Sequence, residues 1–136
     1  MQISLFITSM IILGCEPTIT WKFVIRNNSD YNLLANYSTA ASEDTTIFVE
    51  HDSTLSLFQY RTVGIASETS EHRFKELFKS IRLLVNDQIV YEQVPADQTY
   101  WNHTKEGKPF HGYLIYTIEI TNKDLYFNKP AEDNKK

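Results

Sequence analysis

The chain has 136 residues, a single cysteine and a formal net charge of −4. That length suits one domain with a core of its own, and one cysteine excludes both an internal disulfide framework and a Cys-rich zinc module. The acidic balance speaks against a nucleic-acid partner, whose recognition needs clustered Lys and Arg. Charged residues at 22% and hydrophobic ones at 42% are globular proportions, not those of a disordered chain.

Residues 1–14, MQISLFITSMIILG, carry no charged side chain, and an apolar stretch runs from Ile3 to Leu13. As a helix it rises only about 16 Å, roughly half of a bilayer's hydrocarbon thickness. It has the length of the h-region of a secretory signal peptide. Ile12-Leu13-Gly14-Cys15 stands at its end and resembles the lipobox of bacterial lipoproteins. The resemblance implies cleavage between Gly14 and Cys15, a diacylglyceryl group on the Cys15 thiol and acylation of the new amino terminus. The residue types suit that chemistry. A thiol is the best nucleophile among the common side chains for thioether formation, and a small residue before it lets a peptidase approach. An ordinary signal peptide followed by an incidental cysteine is the alternative. Each buried methylene contributes roughly 0.8 kcal/mol, so two or more chains give lasting attachment. The expected organisation is a signal peptide at 1–14, a lipid-anchored tether at 15–20, a β-domain at 21–127 and a flexible tail at 128–136.

Between tether and tail the pattern is mostly period two, as in strands with one buried face. WKFVIR (21–26) alternates Trp21, Phe23 and Ile25 with Lys22, Val24 and Arg26, and the polar cluster NNSD (27–30) ends it. YNLLANY (31–37) puts Tyr31, Leu33, Ala35 and Tyr37 on one face. TTIFVE (45–50) and TLSLFQYR (54–61) read as a hairpin across a polar tip, with a parity shift between Leu57 and Phe58 that predicts a bulge or burial on both faces. Phe74, Leu77, Phe78 and Ile81 recur at helical spacing after Ser70, which predicts a short helix over 70–79. IRLLV (81–85) and QIVYE (88–92) flank the two-residue turn Asn86-Asp87. Pro95 to Gly112 reads as a long connection, and YLIYTIEIT (113–121) as the cleanest strand. Seven short strands at a spacing of about ten residues predict an all-β fold, an immunoglobulin-like antiparallel β-sandwich with one short helix.

WKFVIRNNSDY (21–31) and YLIYTIEITNKDLY (113–126), together with the lipobox, resemble the small single-domain outer-membrane lipoproteins of Bacteroidetes. That family implies an immunoglobulin-like sandwich on an outer-membrane anchor. It brings no agreed activity and no catalytic residues, so none is carried over. Its acidic export signal after the lipid-bearing cysteine is reduced here to Glu16, which leaves a periplasmic and a surface position both open.

No catalytic motif, metal set or cofactor box stands out. His103 and His111 lie eight apart with Glu106 between them, a metal pair only if their loop folds back. Glu50-His51-Asp52-Ser53 holds the residue types of a triad, but neighbours on an extended chain point to opposite faces and cannot assemble one. Tyr100, Trp101, Phe110 and Tyr113 gather around the long connection. As an exposed shelf they would stack on a sugar ring or a peptide; as a plug they would close the sandwich's open end. Asp44-Thr45-Thr46 and Asp52-Ser53-Thr54 resemble the Bacteroidetes O-glycosylation acceptor, which implies modification at Thr45 and Ser53. The expected function is a lipid-anchored envelope protein acting as a non-catalytic binding or accessory module, with a protein or glycan ligand. A small periplasmic hydrolase or enzyme inhibitor, and a structural subunit joined through a sheet edge, are the alternatives.

Overall fold

The computed structural model describes residues 17–63, 73–108 and 111–127. Gly14, Cys15, Ser70, His72, Phe110 and the predicted tail 128–136 lie outside the described residues. The strands are β1 (Thr18–Asn27), β2 (Leu33–Thr39), β3 (Thr45–Val49), β4 (Ser53–Val63), β5 (Phe78–Val85), β6 (Gln88–Gln93), β7 (Asn102–Lys108) and β8 (His111–Ile120). A single helical turn, α1 (Phe74–Leu77), leads into β5. The strands form two four-stranded sheets: sheet A in the order β4-β1-β8-β7, sheet B in the order β3-β2-β5-β6. The fold is an all-β sandwich, with eight strands described where seven were expected.

β1 pairs antiparallel with β4 and parallel with β8. A constant-type immunoglobulin domain, ABED over CFG, sets its first strand at a sheet edge; here the first strand lies inside its sheet. With a neighbour on each side, even the outward Thr20 and Val24 are buried. Phe23 is the centre of the core. Its ring lies 5.3 Å from Tyr116 and 5.1 Å from Phe78, both stacked, and 5.6 Å from Phe74, edge-on. Such pairs contribute roughly 0.5–1.5 kcal/mol beyond their buried area. Phe74 and Leu77 of α1 close one side of the core, and the Arg73 guanidinium lies 5.2 Å from the ring centres of both Trp21 and Tyr60.

The bulge expected near Leu57 is present: Phe23 faces Phe58 and Val24 faces Ser56, leaving Leu57 as the extra residue. The Asn86-Asp87 turn is present too, both residues at positive φ (51° and 63°), as a two-residue turn matched to strand twist requires. Four expectations are corrected. The predicted helix over 70–79 stops at Leu77, because Phe78 already belongs to β5. A register shift there pairs Thr39 with Phe78 and Ser38 with Ser80, so Lys79 is a bulge. Phe78 and Ile81, three apart, then both face the core and imitate a helical spacing. The predicted β3–β4 hairpin does not form; β3 pairs with β2 and β4 with β1, and the turn between them carries the chain from one sheet to the other. The long connection contains β7, an edge strand whose sequence NHTKEGK has no apolar alternation to reveal it. The first described strand begins at Thr18 rather than at residue 21.

Candidate functional site

The four aromatic residues of the predicted shelf are divided. Trp101 is only 5% exposed. Its ring lies 5.0 Å from Phe78 and 5.6 Å from Phe74, and its Nε1 donates to Gln93 Oε1 at 3.1 Å. Gln93 is itself buried, accepts from the Asp97 backbone N–H at 3.0 Å through the same Oε1, and donates through Nε2 to the Tyr91 hydroxyl. The indole is therefore a core element, held by a polar hub, and is withdrawn from any surface shelf. Tyr100 is 67% exposed in the turn that leaves β6, while Tyr113 stands on the outer face of sheet A opposite Thr20 and Glu106. The Tyr91 hydroxyl is pushed up to about 12, chiefly by burial and partly drawn back by its Gln93 hydrogen bond.

His103 and His111 are kept apart by the β7–β8 hairpin. His103 pairs with Tyr116 and stacks on its ring at 5.0 Å, whereas His111 pairs with Lys108 five positions further along β7. Among the described residues no group of three or more His, Cys, Asp or Glu side chains gathers. In the turn 50–53, the exposed His51 Nδ1 lies 3.2 Å from Asp52 Oδ2, and Ser53 Oγ donates to the Glu50 carbonyl at 2.6 Å. Ser53 faces its own loop, not the imidazole. Thr45 likewise bonds locally, its Oγ1 donating to Ser42 Oγ at 3.2 Å. Both residues are half-buried, and the aspartates before them, Asp44 and Asp52, have positive φ.

The two stretches that carry the family resemblance meet at the end of the sandwich opposite Thr18. Asn27, fully buried, donates through Nδ2 to the carbonyls of Tyr31 (2.8 Å) and Val49 (3.1 Å). Its Oδ1 accepts from the Ser29 N–H (3.0 Å) and hydroxyl (2.6 Å). The backbone carbonyl of Asn27 receives the Asp52 N–H at 2.7 Å. Asn122 accepts from the Asp30 N–H at 2.9 Å and donates to its carboxylate at 2.7 Å. These motifs are a structural knot that ties β1, β3, β4 and β8 together through the side chains of Asn27, Ser29 and Asn122.

The outer face of sheet B offers a different kind of surface. Leu34 pairs with Phe48 on one side and Leu84 on the other, and Leu84 pairs with Ile89. One in-register apolar row thus crosses all four strands, a width of about 15 Å at strand spacing. Phe48 is 51% exposed, Ile89 40% and Leu34 36%. The adjoining row is polar and paired within itself: Asn36 Nδ2 donates to Thr46 Oγ1 at 3.1 Å, and Arg82 Nε lies 2.8 Å from Glu92 Oε2. Buried parity read strand by strand does not reveal this row. The signal was there: each strand of sheet B carries one apolar residue out of step with its core-facing set.

No protein-family model, curated protein or solved structure matches the chain.

Proposed function

We propose that this chain is an exported, lipid-anchored envelope module of the outer membrane that binds a partner through the outer face of sheet B and performs no chemistry there. The observation that carries the binding reading is the in-register row Phe48-Leu34-Leu84-Ile89. Apolar side chains aligned across a whole sheet, three of the four exposed, beside a polar row paired within itself, are the composition of a contact surface. The anchor reading rests on the apolar stretch ending in Leu13-Gly14-Cys15. Only two residues separate Cys15 from the first strand, a reach of roughly 10 Å. β1 then runs about 30 Å away from that point. The row lies toward the far end, since Leu34 is the second residue of β2 and Leu84 the penultimate one of β5. An anchor at one end and a contact surface near the other suit a module that holds its partner clear of the bilayer.

Two measurements test the two halves. Metabolic labelling with a fatty acid should mark the wild-type protein and leave Cys15→Ala unlabelled and released from membranes; label persisting in that variant overturns the anchor. Cross-linking in intact cells should give a discrete adduct that disappears in Leu34→Ser/Phe48→Ser/Ile89→Ser while the fold is kept. An adduct unchanged by the triple variant overturns the binding face.

A further inference from the structure

A sheet edge presents unpaired backbone N–H and C=O groups, which folded proteins usually blunt with charges, bulges, prolines or a covering segment. Three of the four edges here are treated in that way. β4 is bulged at Leu57 and carries Arg61. β7 carries Lys105 and Glu106 and bends at Gly107, where φ is 93° and a Cβ would strike the His111 carbonyl. β6 carries Glu92, is followed by Pro95, and receives the segment after β8, whose Tyr126 N–H donates to the Val90 carbonyl at 2.9 Å.

β3 is the exception. Its sequence, TTIFV, has no charge, glycine or proline, and it pairs with β2 over all five residues without a register shift. Among the described residues nothing pairs with its other side. Phe48, at this edge, is the most exposed member of the apolar row. Carboxylates bracket the strand: Glu43 and Asp44 before it, Glu50 and Asp52 after it, all exposed. Lys79 lines the recess beside the turn before β3, but it sits on β5, two strands in from the edge. The same carboxylates disfavour a second copy. Antiparallel pairing of two β3 strands about Ile47 would set Asp44 of each copy opposite Glu50 of the other, and like charges directly opposite are destabilising.

The geometry points to β3 as the docking edge for an extended strand of a partner protein, apolar or β-branched at its centre and basic at both ends. The added strand completes the backbone hydrogen bonds of β3, sets an apolar side chain beside Phe48 and places Lys or Arg against the two acidic brackets. This assignment rests on the reading of sheet B as a binding surface, and it needs no lipid anchor.

The probe is a fluorescent peptide with a Thr-Val-Thr-Val-Thr centre and two lysines at each end, compared with one carrying glutamates instead. Anisotropy at low ionic strength should show saturable binding of the lysine peptide and binding at least about tenfold weaker for the glutamate peptide, a gap that narrows as salt screens the brackets. Hydrogen exchange should slow at the amides of β3 on binding. Thr46→Lys/Phe48→Lys should weaken binding by about tenfold or more with an unchanged melting temperature, because both residues point to solvent. Absence of saturable binding, equal binding of the two peptides, protection confined to another strand, or a wild-type dimer at micromolar concentration each overturns the assignment. The in-cell adduct described above is scored separately. Its loss on changing the row, together with a failed peptide, would leave the binding face standing and remove the strand edge.

Discussion

The outward positions of sheet A include Lys22, Arg26, Arg61, Glu106 and Glu119, separated by threonines, with Val24, Val63, Tyr113 and Ile115 scattered among them. Those of sheet B gather their apolar residues at one level, one per strand, in Phe48, Leu34, Leu84 and Ile89. Scattered apolar side chains are ordinary on any protein surface, and alignment across a sheet is not. The difference teaches that composition alone is a poor guide to a contact surface. Register decides, because it turns four separate residues into one continuous strip. The inner side of the same strands sharpens the point. Leu33, Ala35, Ile81, Leu83 and Val90 are buried within the core, so neighbouring residues of one strand face the core on one side and solvent on the other.

The largest effect should come from the sealed side. Trp101→Ala empties the space between Phe74 and Phe78 and strips Gln93 of a partner, and should cost about 3–5 kcal/mol in chemical denaturation. A loss below about 1 kcal/mol would mean that the indole is not part of the core. Next is Asn27→Ala, which leaves the Val49 carbonyl and the Ser29 N–H without their side-chain partner and the Tyr31 carbonyl with the longer Ser29 contact alone. About 1–3 kcal/mol is expected for buried polar groups left unmade. If instead Asn27→Ala kept full stability and lost partner binding, the knot would be a site and the comparison would fail.

A smaller effect belongs to pH. Tyr91 has its hydroxyl raised to about 12 by burial, above the unfolded value near 10. The unfolded chain therefore releases this proton first as pH rises, and stability declines between about pH 10 and 12. It is fully present below that window. Tyr91→Phe should flatten this part of the stability profile, and an unchanged slope would place the titration elsewhere. Smallest of all is the response of the outer row. Leu34→Ser, Phe48→Ser and Ile89→Ser should each shift stability by no more than about 0.5 kcal/mol, a contrast with the inner face that thermal melts can read directly.

Much of the sandwich was legible because a half-buried strand writes its alternation into the sequence, as in β1, β2 and β8. The Asn86-Asp87 hairpin was legible from turn chemistry alone. What escaped has physical causes. β7 is an edge strand made of polar residues, and its inward His103 stacks on Tyr116. The Lys79 bulge placed Phe78 and Ile81 at a spacing that two kinds of backbone can satisfy. The turn at 50–53 looks like a hairpin tip, and only the pairing of β3 with β2 and of β4 with β1 reveals a crossing between sheets. The outer row could not be seen from any one strand, since it exists only once four registers are set.

The central claim is that sheet B, and not sheet A, is the face that meets a partner. Its most direct test places a photoreactive phenylalanine analogue at Phe48 in one protein and at Tyr113 in another, with irradiation of intact cells producing each. The account predicts a discrete cross-linked species from position 48 and none from position 113. A species of equal yield from both positions, or from position 113 alone, would contradict it.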